Sequence, residues 1–292
     1  MSPVNPATRD EPRSVLPSLR DRLPLGRSGL HVSPLCLGIT TRETVPVAFA
    51  AGVNFFFLSN DLHWRLYEPL MAGIADLLSN GVSRDEIVVA GVSYLSEPLF
   101  GYLQFNELLD AIPGLERVDV LLAGGVEAAD FLPRYHRLAE AGQQRLWGCR
   151  AIGASFHDRV TARMAVCAGL LDIAYIRYNP GHPGAEEDLF PYFNQNKTSL
   201  VYNFKSTSGL LSLEQFQQLK LESRYKPTKI TDGYRFALSR KEIDGLLASP
   251  QGAEQIAQLE RALAAGPITP SRAAYMKNLV LLASGRAEVE SG

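Results

Sequence analysis

The feature that most constrains this chain is a regular alternation between short apolar runs and longer amphipathic stretches. Eight runs are apolar at consecutive positions rather than at every second one. They are VSPLCLGI near residue 35, NFFFLS at 54–59, EIVVAGVSY at 86–94, RVDVLLAGG at 117–125, LWGCRAIGAS at 146–155, DIAYIRYN at 172–179, SLVYNFKS at 199–206 and EIDGLLAS at 242–249. A strand apolar on both faces is covered on both, as in a parallel sheet packed against helices. Between the runs lie stretches such as YEPLMAGIADLLSNG and FLPRYHRLAEAGQ, apolar at helical spacing and ended by Gly or Asn-Gly.

Eight strand–helix units that close on themselves predict an α/β fold, a (β/α)8 TIM barrel. An open doubly wound sheet is the alternative, but no GxGxxG follows the first strand. The 292 residues suit one barrel, which needs about 250. No Pro/Gly/Ser-rich linker or charge run divides them. We therefore expect a mobile tail over 1–22 and a single barrel domain over 23–292. The polar segment 212–241 reads as an insertion before the last strand, a lid or long loop.

Charge narrows the partners. Twenty-nine basic and 31 acidic residues give a formal net charge of -2, without a sustained basic stretch, so neither nucleic acid nor a membrane surface is an expected partner. No run reaches the roughly 18 apolar residues of a membrane span. The opening MSPVNPATRDEPRSVLPSLRDR lacks the apolar core of a signal peptide. Cys36, Cys149 and Cys167 are scattered among apolar residues and read as reduced core side chains. Together these features predict a cytoplasmic protein. No HxH or HExxH pair marks a metal site.

In such a barrel, function gathers at the C-terminal ends of the strands. Those ends carry Thr40 and Thr41, then Asn60, Asp61, His63 and Trp64, then Ser93 and Tyr94, and Glu127. They continue with Ser155, His157 and Asp158, with Arg177, Tyr178, Asn179 and His182, and with Asn203 and Lys205. Three of the five histidines fall on this face. Phe57 is expected to line a pocket and Phe55 to pack toward the helices. Arg177 is expected to pair with Glu186 or Glu187. Asp119 and Asp172 read as barrel-bottom or turn residues.

Several of these stretches resemble the aldo-keto reductases. LPLGRSGLHVSPLCLGI, ending at Ile39, is similar to that family's N-terminal hairpin and first strand. AGVNFFFLSN (51–60), SRDEIVVAGVSYL (83–95), RVDVLLAGG (117–125) and RAIGASFHDR (150–159) resemble its next four strands. RYNPGHPGAEEDLFPYF (177–193), VYNFKSTSGLL (201–211) and ALSRKEIDGLLASPQGAEQIAQLERAL (237–263) resemble the remaining units. The resemblance implies hydride transfer from a nicotinamide to a carbonyl, using an Asp, a Tyr, a Lys and a His.

Carried over by position, those four fall on Phe57, on Leu62 or Trp64, on Val92 and on Gly124. None of them is acidic, basic or phenolic, and no Lys occurs before residue 197. The family's Ser-Asn pair for the nicotinamide amide reads Ser155-Phe156, its Gln reads Tyr175, and its Glu-Asn pair near the adenine reads Gln258-Leu259. Ser155, Lys205 and Ser249 remain compatible with a dinucleotide, so NADP stays as the alternative to no cofactor.

Three functions follow. The leading expectation is a repurposed, cofactor-independent enzyme acting on a small molecule by acid/base chemistry. Its candidate acids and bases are His63, His157, Asp61 and Tyr94, in an enlarged pocket lined by Phe57, Trp64, Val92, Gly124, Tyr175 and Asn203. The alternatives are an NADP-dependent carbonyl reductase with an unusual proton donor, Tyr94 or His63, and a non-catalytic binder of a small molecule or a protein partner.

Overall fold

The computed structural model describes residues 13–96, 103–193 and 197–285. A two-stranded antiparallel hairpin, β1 (Leu23–Leu25) and β2 (Leu30–Val32), precedes eight parallel strands. These are β3 (Leu35–Leu37), β4 (Phe55–Ser59), β5 (Val88–Ser93), β6 (Val120–Val126), β7 (Ala151–Phe156), β8 (Ile173–Arg177), β9 (Leu200–Phe204) and β10 (Gly245–Ala248). Each pairs with the next in sequence, and β10 closes on β3. All eight lie within the eight apolar runs or one residue beyond, and the (β/α)8 expectation holds.

Side chains at alternate positions of a barrel strand fill the interior. Here that filling is aromatic. The Tyr175 hydroxyl of β8 donates to Cys36 Sγ of β3, 3.4 Å away, although the two strands are not neighbours. Phe57 of β4 meets Tyr175 at 5.4 Å, and Phe55 meets Tyr202 of β9 at 5.7 Å between ring centroids. Such contacts pass through the barrel. Phe55 is core, as expected, but it faces inward with Phe57, since residues two apart share a face. Burial pushes the Cys36 thiol and the Tyr175 hydroxyl above their ordinary ranges.

The barrel bottom is stapled by buried polar groups. Asp119, fully buried, accepts from Arg84 Nη2 at 2.6 Å, Val89 N at 2.8 Å and Arg117 Nε at 3.1 Å. Asp172, just before β8, accepts from Arg27 N and Ile152 N, joining the hairpin to β7. Both aspartates are thus barrel-bottom residues, as read from the sequence.

Three expectations are corrected. The tail is not mobile over 13–22: Leu16 and Leu19 are buried, and Arg13 donates to the carbonyls of Arg240, Lys241 and Ile243. Residues 1–12 lie outside the described ones. The 212–241 segment is not one long loop, because its second half forms the helix Ile230–Leu238, which buries Phe236, Ala237 and Leu238 in the crossover to β10. Cys167 is exposed rather than core, its Sγ 3.3 Å from the Tyr192 carbonyl, whereas Cys36 and Cys149 are buried. No helix among the described residues is long and apolar enough to cross a membrane.

Candidate functional site

At the C-terminal mouth the ends of β4, β5 and β6 carry Phe57, Val92 and Gly124. Phe57 and Val92 are sealed in the core. Gly124 leaves room for a neighbour: a Cβ there would stand 2.5 Å from Tyr94 Cδ1 and 2.8 Å from Val92 Cγ2. The Tyr94 ring therefore occupies the volume that any side chain at 124 would need. The strand pairing shifts register between Ala123 and Val126, and Gly125 takes φ +61°, a left-handed value that suits glycine. Gly125 N donates to Ser155 Oγ at 2.8 Å. Arg134, buried, clamps the bulge by donating to Gly124 O at 2.9 Å and Ser93 O at 2.7 Å.

Asp61 is committed to the same scaffold. Its carboxylate accepts from Ser59 Oγ at 2.7 Å, from Leu62 N and from Tyr94 N at 2.7 Å, tying the β4 loop to the end of β5. Its two oxygens thus hold the loop to the Tyr94 backbone. Burial, and then the Asp61 charge, push the Tyr94 phenol above its ordinary value, so it stays protonated. No described residue hydrogen-bonds its hydroxyl.

A second phenol shares this corner. Tyr67, buried in the first turn of the helix Trp64–Ser79, lies 6.3 Å from Phe57. Burial first, then Tyr94, Cys36 and Asp61, push it well above the ordinary phenol range. Tyr67 lies beyond positions 62 and 64, where the resemblance places a phenol, and its place at the start of an amphipathic helix buries it against the barrel.

The other half of the mouth, β7 to β9, is basic. His157 is exposed; its ring meets Phe204 at 5.9 Å and comes within 4.0 Å of where a Gly125 Cβ would stand, a point that Tyr94 approaches to 3.7 Å. Tyr94 and His157 thus flank one spot over the β6 bulge. Asn203, buried, accepts from Tyr178 N at 2.7 Å and donates to Ser206 Oγ at 2.8 Å. Buried Asn179 donates to the Lys205 carbonyl at 2.9 Å, and Lys205 itself sits at φ +56° with its side chain exposed. These amides brace the loops rather than line a cavity.

The structure brings together Tyr94, His157, Ser155 and Gly124, and places Lys205 on the same face. It turns others away. His63, at φ +68° before the helix, and Trp64 are exposed, and Trp64 stacks under Arg65 at 5.3 Å. Asp158 caps the helix Arg159–Cys167 by accepting from Val160 N and Thr161 N. Tyr175 lies inside the barrel. Ser249 is exposed beside Gly38, its Oγ 3.1 Å from a Cβ placed there. The expected enlarged pocket is corrected: Phe57, Val92 and Tyr175 are core, and the space above Gly124 holds Tyr94. Arg177 is not paired with Glu186 or Glu187 as expected, since Glu186 holds Lys277 Nζ at 2.5 Å and the Tyr178 hydroxyl at 2.6 Å. No group of three or more metal-ligating side chains occurs among the described residues.

Solved structures share this architecture. The chain is similar to the holo form of aldo-keto reductase AKR11C1 from Bacillus halodurans, at TM-score 0.66 and 16% identity, over 93% of this chain and 99% of that one. The fold is that of the aldo-keto reductases. The thermostable aldo-keto reductase Tm1743, solved with the inhibitor epalrestat, matches at TM-score 0.65 and 16% identity over 89% of this chain and 99% of that one. No protein-family model and no curated protein sequence matches. The aldo-keto reductase barrel is therefore recognisable here in backbone far more than in sequence.

Proposed function

We propose that this chain is a divergent aldo-keto reductase relative that binds a small molecule at the barrel mouth. It acts on that molecule by proton transfer, without a nicotinamide. The observation that carries this reading is the pair Tyr94 and His157 flanking Gly125, with Tyr94 occupying the volume over Gly124. A phenol kept neutral by burial can donate a hydrogen bond to a carbonyl oxygen, and a solvent-facing imidazole can take a proton from the adjacent carbon. Isomerisation or dehydration next to a carbonyl requires these two roles. Asp61, which the sequence offered as an acid or base, becomes the group that holds Tyr94 in place.

The nicotinamide end of an NADP cofactor fits poorly. The position after Ser155 is Phe156, which packs on Phe131 at 5.7 Å and has no amide to offer, and the Tyr175 hydroxyl is spent on Cys36 inside the barrel. Exposed Lys205 and Ser249 suit phosphates better than they suit an amide. A reductase reading rests on those two residues and on the holo form of the B. halodurans relative.

Titration with NADPH in a calorimeter, beside an active reductase as control, separates the two. We expect no heat of binding up to millimolar cofactor and no NADPH oxidation with a panel of carbonyl compounds. Binding in the low micromolar range would restore the reductase reading.

A further inference from the structure

Arg177 ends β8 and pairs in register with Phe204, whose ring touches His157. Its Nε is shut off from solvent with no hydrogen-bond partner, and among the described residues no acceptor serves the rest of its guanidinium. A half-buried guanidinium without an acceptor is costly, because the desolvation is not repaid by an ion pair. Glu186 holds Lys277 and Tyr178, Asp188 holds Arg159 through two contacts of 2.6 and 2.8 Å, and exposed Glu187 makes no ion pair with Arg177.

The charges acting on His182, on the loop that follows β8, are positive. Burial lowers the His182 imidazole below its ordinary value, and Arg177, Arg159 and Lys205 lower it further, so all three press on the same spot. Arg159 reaches over Gly184, where a Cβ would stand 2.6 Å from its Nη2. The loops that carry these cations are held firmly. Asn179, with no exposed surface, donates to the Lys205 carbonyl and accepts from Gly181 N at 3.1 Å and His182 Nδ1 at 3.2 Å. That last bond directs His182 Nε2 away from Asn179. The left-handed backbone at Lys205 is unfavourable for a non-glycine residue, and this network keeps it there.

We infer that Arg177, with Lys205 and His182, binds the anionic group of the small molecule taken at this mouth, a carboxylate or a phosphate. A guanidinium fork matches either anion with paired N–H donors. The inference rests on the proposed small-molecule site and narrows it: the reacting carbon over Gly125 belongs to an anionic substrate, anchored on the β8–β9 side.

The test follows the Arg Nε–H resonances and the melting temperature of the full chain as inorganic phosphate, and separately acetate, is added. The expected result is a saturable shift of one Arg Nε–H signal with at least one of these anions, accompanied by a rise in melting temperature. In Arg177→Gln both responses disappear; Arg177→Lys restores the thermal response in part, and Lys205→Gln weakens binding about tenfold, the loss of one charge-assisted contact. No saturable response in the wild-type protein, or an equal one in Arg177→Gln, overturns the inference and leaves proton transfer at Tyr94 and His157 untouched. Displacement of phosphate by NADPH, with NADPH affinity falling in Arg177→Gln, also overturns it, because the anion would then belong to a cofactor.

Discussion

The two ends of this barrel treat their polar groups in opposite ways. At the bottom, Asp119 is fully buried and takes three donors, two of them from arginines. At the mouth, Arg177 has a shielded nitrogen with no acceptor, and no described residue hydrogen-bonds the Tyr94 hydroxyl. The aspartates of the bottom are saturated with donors, and Arg177 at the mouth is left without an acceptor. Unpaired polarity stands at the mouth, where a barrel of this kind binds ligands, and a saturated network holds the bottom.

Breaking the bottom should do the most damage. Asp119→Ala removes the shared acceptor of Arg84 and Arg117 and leaves the Arg84 guanidinium, 8% exposed, without its ion pair. Loss of one partner from a buried pair costs about 3–5 kcal/mol, so chemical denaturation should show a fall of that size. A loss below about 1 kcal/mol, the worth of a surface pair, would mean that the staple is dispensable and the contrast between the ends is wrong.

The mouth should answer differently to a smaller change. In Gly124→Ala the new methyl collides with the Tyr94 ring, which lies 2.5 Å from its position. Overpacking of this kind costs about 1–3 kcal/mol, and here the outcome should be a displaced Tyr94 whose ring resonances shift while the bottom amides stay put. An unmoved Tyr94 would show that the ring does not depend on the bare glycine.

Much of the fold was legible because burial on both strand faces writes itself as consecutive apolar residues. That is why all eight strands stand where the runs place them, from VSPLCLGI to EIDGLLAS. The site was less legible, for reasons of geometry. Glu186 is near Arg177 in sequence, but Lys277 arrives from the helix Pro270–Ala283 and takes it. Asp61 and His63 are two residues apart, yet the first caps a loop inward and the second faces solvent. Tyr67 and Arg134 sit on helices rather than strand ends, so a reading of strand ends passes over them. The missing side chain at Gly124 suggested an opening; a neighbouring strand filled it with Tyr94, which only the packing reveals.

The most direct test of the central claim is hydrogen exchange at carbon. Small keto acids and ketones would be incubated with the protein in D2O without any nicotinamide, and deuterium uptake next to the carbonyl followed by NMR. The account predicts uptake above the buffer rate for at least one keto acid, lost in Tyr94→Phe and in His157→Gln while both variants melt normally. Exchange that persists unchanged in Tyr94→Phe, or none above buffer across the panel, would contradict it.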